Sequence, residues 1–167
     1  MTKAVWSGVF AGVAVLLFST QAMAQAATAG ATVTVSATVS PKAKLTVGAG
    51  SVAFNDADPD VTPLLTATAA LSLNVRARTA AASNVTLTVQ SGGDLTSGSD
   101  TIPIANLTWT ATGTGYAAGT MGTTASSLGS WTGGGNEAGT QTYQLVNSWN
   151  YRTGTYTATI TYTLTAP

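Results

Sequence analysis

An alternation of period two runs through most of this chain, and it admits few folds. In "ATVTVSATV", Val33, Val35, Ala37 and Val39 share one face and Thr32, Thr34, Ser36 and Thr38 the other. "ALSLNVRAR" places Leu71, Leu73, Val75 and Ala77 together and turns Arg76 and Arg78 outward. "NVTLTV" repeats the pattern with Val85, Leu87 and Val89, and "NLTWTAT" with Leu107, Trp109 and Ala111. "TYQLVNSWNY" carries Tyr143, Leu145, Trp149 and Tyr151, and "AKLTV" and "SVAF" read as shorter strands. Successive side chains of a strand point to opposite faces, so each segment predicts a strand with one buried side. No segment after the first two dozen residues keeps a helical period long enough for a helix. About seven or eight strands, parted by Gly, Asn, Asp, Ser and Pro, predict an all-β antiparallel sandwich or barrel.

The closing stretch, "GTYTATITYTLTAP", is the most regular. Thr occupies every odd position from Thr155 to Thr165, which predicts a terminal strand with Tyr156, Ile160, Tyr162 and Leu164 in the core. Eleven residues at ~3.3 Å each would span about 36 Å, longer than most strands. Residues 112–141 break the pattern. This Gly/Ser/Thr-rich region predicts a loop with weak strands near Tyr116–Met121 and Ser127–Trp131, or an exposed contact surface built on Tyr116, Met121 and Trp131.

The first residues read as a signal peptide over 1–24. Lys3 precedes the apolar run "AVWSGVFAGVAVLLFS", and Ala22-Met23-Ala24 forms a small-residue cleavage site. The expectation is an exported protein, on a bacterial cell surface or in the periplasm, with a single sandwich domain over 25–167 and no stable membrane span after cleavage. Only 7% of residues are charged, against about 25% in ordinary soluble proteins. Lys and Arg are few and spread along the chain, so no basic patch for nucleic acid is expected.

The chain contains neither Cys nor His, which removes disulfides, thiolate nucleophiles and imidazole acid–base chemistry. Glu137 is the single Glu and lies in "GGGNEAG", a poor platform for a catalytic acid. Asp94 and Asp100 flank a turn. With no activated nucleophile, base or metal set, no enzymatic activity and no cofactor are expected. "FNDADPD" gathers Asp56, Asp58 and Asp60, a candidate calcium loop that lacks the closing Glu; Asp and Pro are also ordinary turn residues. Trp109, Trp131 and Trp149 could stack on a sugar. Trp109 keeps step with Leu107 and reads as core, leaving Trp131 as the exposed candidate.

Two families are similar in layout. "YTATITYTLTAP" resembles the terminal motif of the WxL domain of Gram-positive cell-surface proteins, roughly Tyr-x-x-Thr-Leu-Thr-Trp-Thr-Leu and a short Pro-containing end. Tyr156, Thr159, Ile160, Thr161, Thr163, Leu164 and Pro167 match; Tyr162 stands where that family has Trp, and Ala111 where Leu follows the first Trp. That resemblance implies a β-rich module bound to peptidoglycan. The wider layout is a signal peptide, an alternating Val/Thr strand, "LTVGAGSVAF", further strands and a terminal Tyr-containing strand. It looks like chaperone–usher fimbrial subunits and the related spore-coat-U-like secreted proteins. This second resemblance implies an incomplete immunoglobulin-like sandwich completed by a neighbour's N-terminal strand, here Val33, Val35, Ala37 and Val39. The partners expected are other copies of the chain or related subunits, with cell-wall glycan as the alternative. A carbohydrate-binding module is the third reading.

Overall fold

A computed structural model describes residues 30–167 in two bodies, Gly30–Ala37 and Thr38–Pro167. The predicted signal peptide and its cleavage site lie outside the described residues. No helix among the described residues is long and apolar enough to cross a membrane.

The second body is a β-sandwich. Its strands are β1 (Lys42–Val47), β2 (Leu64–Thr66), β3 (Leu71–Arg78), β4 (Asn84–Ser91), β5 (Leu95–Ser97) and β6 (Asp100–Ile102). After a 3-10 turn at Ile104–Asn106 come β7 (Leu107–Thr112), β8 (Gly119–Thr120), β9 (Ser126–Thr132), β10 (Gly135–Val146) and β11 (Ile160–Thr165). Seven of these are six residues or longer; the alternation predicted six of them at least in part, with β9 and the first half of β10 lying in the region where the pattern breaks, and the four short ones flank turns. All pairings are antiparallel. One sheet runs β1-β3-β10-β7-β8, with β2 pairing the end of β10; the facing sheet runs β11-β4-β9; β5 and β6 form a hairpin.

The core lies between the sheets. Leu73 and Val75 of β3, Trp109 of β7 and Tyr143 and Leu145 of β10 face Val85, Leu87 and Val89 of β4 and Leu128 of β9, all buried. Apart from Leu128, these are the positions the period-two reading assigns inward, because burial on one face makes strand register costly to shift.

Within the single chain, four expectations about strands are corrected. Ala31–Val39 takes no strand here, and Val33, Val35 and Val39 are 85%, 89% and 66% exposed. An alternating pattern supplies a strand's side chains, but the strand itself needs a partner for its backbone groups. "SVAF" shrinks to one bridge, Phe54 to Ala67. The closing strand starts only at Ile160, because its partner β4 ends at Ser91; upstream, Thr157 bridges Thr96 instead. Residues 112–141 are largely strand: β8, β9 and the first half of β10.

That last region escaped the pattern because glycine stands where an apolar side chain would signal burial. A Cβ at Gly119 would overlap the Trp109 ring, one at Gly129 the Trp131 ring and one at Gly139 the Tyr116 ring. The neighbour's aromatic ring fills the inward space. Gly119→Val is therefore expected to destabilise the fold by about 1–3 kcal/mol through overpacking against buried Trp109. A shift in the urea midpoint at constant slope would measure it.

Register also gathers charges that are distant in sequence. Lys42 lies opposite Arg78 and Lys44 opposite Arg76 across the β1–β3 ladder. The expectation that the cations are scattered does not survive folding.

Candidate assembly groove

The two long sides of the sandwich differ. On one, the segment joining β7 to β8 is laced to β9 of the facing sheet. The Ala117 amide donates to the Leu128 carbonyl at 2.9 Å and the Ser130 amide to Gly115 at 3.0 Å, while Tyr116 bridges Gly129. The Trp109 indole donates to the Ala117 carbonyl at 2.9 Å from inside.

On the other side, β1 and β11 each pair on one edge only, β1 with β3 and β11 with β4. Among the described residues no backbone hydrogen bond joins β1 to β11. Where β1 ends and β11 begins, a cleft of about 410 Å³ opens between the sheets. Val47, Val52, Phe54, Leu71 and Ile160 give it apolar walls, and exposed Ala49, Gly50, Ser51 and Thr159 form its rim. Such a place has free strand edges beside an apolar interior, the two things an added strand needs.

A polar group sits deep in the same layer. Tyr143 of β10 and Tyr162 of β11 both line the cleft, and their hydroxyls lie 2.8 Å apart. The Tyr162 hydroxyl donates to Gln141 Oε1 at 2.6 Å. Gln141 is fully buried, and its Nε2 has no protein partner. Burial raises the pKa of Tyr162 well above the usual phenol range, reinforced by the neighbouring Tyr143; burial also raises that of Tyr143, partly offset by its hydrogen bonds. Both are held as neutral phenols in the folded state. A folded-state pKa above the unfolded value means their contribution is fully present below about pH 10 and is lost as pH rises beyond it. Ultraviolet titration is expected to show these two tyrosines ionising only as the sandwich unfolds, and Tyr143→Phe with Tyr162→Phe is expected to flatten the alkaline loss of stability.

Of the predicted terminal core, Tyr156, Ile160, Tyr162 and Leu164 are all half-buried. Ile160 and Tyr162 line the cleft. Tyr156 precedes the strand and donates its hydroxyl to the Arg152 carbonyl at 3.0 Å.

Tyr116 and Trp131 are not an exposed contact surface. Their rings meet edge to face at 4.9 Å, Trp131 donates to the Thr114 carbonyl at 2.8 Å, and both are half-buried; Met121 is buried outright. They fasten the closed side. Trp149 is the exposed tryptophan, at 68%, because β10 ends at Val146 and the chain then turns. With Trp109 buried, the three tryptophans form no common platform.

Asp56, Asp58 and Asp60 do not converge, and among the described residues no group of three acidic side chains could hold a metal ion. Asp58 instead accepts the Asp60 amide at 2.9 Å, and Asp60 accepts the Trp149 indole N–H at 3.1 Å. These are turn roles, and Asn147 secures the turn by donating to the Ala57 and Thr62 carbonyls. The cleft itself was missed by the sequence reading, since its lining comes from five separate stretches of chain.

No protein-family model matches the chain, and no curated protein matches it.

Proposed function

We propose that this chain is a non-enzymatic structural subunit of an exported surface assembly, in which Ala31–Val39 of one copy adds as a strand to the open side of another. One observation carries the reading. The same chain holds an exposed, strand-patterned segment with an apolar stripe and an apolar cleft flanked by two free strand edges. Backbone hydrogen bonds to a free edge would supply affinity, and alternate side chains entering the cleft would set the register. Val33, Val35, Ala37 and Val39 recur every second residue, about 6.8 Å apart in a strand, and so present one continuous stripe.

The peptidoglycan reading has less support. It leans on Tyr162 in the place of a tryptophan, and that side chain is engaged inside the cleft with Tyr143 and Gln141.

Deleting residues 31–39 tests the proposal. Light scattering and electron microscopy are expected to show polymers for the whole chain and monomers for the shortened one, with a retained β-type circular dichroism spectrum. Polymers of unchanged size after the deletion would refute it.

A further inference from the structure

The outer face of the β1–β3 edge carries a charge arrangement that the fold itself does not require. Lys42 and Lys44 project from β1, and Arg76 and Arg78 from β3; all four are exposed. They are four of the five cations among the described residues. Their pairing sets like charges directly opposite, Lys42 to Arg78 and Lys44 to Arg76, which costs stability. No relief comes from acids. Among the described residues the one ion pair is Arg152–Asp100, and Glu137, beside β3 on β10, pairs with Val75 and so shares its inward face.

Lysines on an edge strand commonly guard that edge against stray pairing. That accounts for Lys42 and Lys44. It does not account for Arg76 and Arg78, because β3 is covered on both edges, by β1 and β10. The arginines are also oriented. Arg76 Nε donates to Asn136 Oδ1 at 3.2 Å and Arg78 Nε to the Ser40 carbonyl at 2.9 Å, which leaves the terminal guanidinium nitrogens for a partner. The face continues in neutral polar groups. Thr46 lies opposite Asn74, and Ser72 opposite Thr140, in register with the cations.

We propose that this face binds an acidic polysaccharide. Two cation pairs, about 7 Å apart along the strands and about 4.8 Å apart across them, form a short track for repeating anionic groups. Arginine suits bidentate contact with carboxylate or sulfate, and the flanking hydroxyls and amides suit sugar hydroxyls. A single-stranded nucleic acid is the poorer match, since no aromatic side chain stands among the cations to stack a base. The face is the outer surface of the sheet rather than the cleft, so the site stands whether or not copies assemble through Ala31–Val39.

The test is calorimetric titration of the full chain with polygalacturonate, dextran sulfate and neutral dextran at low and high salt. Binding to one or both acidic polymers is expected, carboxylate and sulfate arms identifying the preferred group, with none to neutral dextran. Raising the salt well above physiological strength is expected to abolish it. Lys44→Gln with Arg76→Gln is expected to weaken binding about tenfold or more, whereas Arg152→Gln, which removes a charge elsewhere, is expected to leave it unchanged. Lys44→Arg is expected to retain binding, which separates lost charge from a lost fold. Equal binding by the double variant, absence of binding to both acidic polymers, or tighter binding to a single-stranded oligonucleotide than to either would overturn the proposal.

Discussion

Trp109→Ala is expected to remove about 3–5 kcal/mol of stability, the usual cost of truncating a large buried aromatic. Trp109 is 2% exposed, stands opposite Tyr143 in the ladder and covers Gly119. Its loss would leave a cavity between the sheets and strip the Ala117 carbonyl of the indole donor that ties the closed side. Domains of this size are typically stable by only about 5–15 kcal/mol, so much of the margin would go. Trp109→Phe keeps most of the volume but not the N–H, and a loss of about 1–2 kcal/mol is expected for it. Urea unfolding measures both. A cost below 1 kcal/mol for the alanine variant would show that this ring is not the centre of the core.

The second large effect concerns association. Replacing Val33, Val35 and Val39 by Asp is expected to abolish polymers and to leave the sandwich melting where the chain lacking residues 31–39 melts, without the gain that assembly supplies. All three are exposed within a single chain, so the sandwich loses no buried contact. In an assembled pair each would be buried at about 1.5–3 kcal/mol apiece, and a carboxylate in the apolar cleft would add a desolvation cost. The combined loss exceeds about 5 kcal/mol, or a weakening of more than a thousandfold. Sedimentation velocity reads the association and calorimetry the stability. A fall in melting temperature with polymers intact would assign these valines to the subunit's own fold.

Much of this architecture was legible in the sequence. Leu71, Leu73, Val75, Val85, Leu87, Val89, Leu107 and Trp109 show their inward face by alternation alone, and each is buried. The alternation did not suffice for a strand within the single chain where the pattern lacked a ladder partner, at Ala31–Val39 and Thr155–Thr159. It fell silent where glycine stood under a ring, at Gly119, Gly129 and Gly139. Trp149 and Trp131 exchanged expected roles for a tertiary reason. Trp131 finds Tyr116 across the closed side, and Trp149 falls in a turn after β10 has ended. The cleft, the Gln141–Tyr162–Tyr143 set and the four-cation face were unreadable, because each depends on which strands are neighbours. A sequence gives the face of each residue far more readily than the order of strands in a sheet.

The central claim, that the Val33–Val39 stripe completes the open side of another copy, is tested most directly by peptide addition. A labelled peptide of residues 31–39 is titrated into the chain lacking that segment, beside a peptide in which each Val and Ala exchanges places with its neighbouring Thr or Ser. The account predicts saturable one-to-one binding by the first peptide, a raised melting temperature and slowed amide exchange in β1 or β11, with none of these for the exchanged peptide. No binding, or equal binding by both peptides, would contradict it.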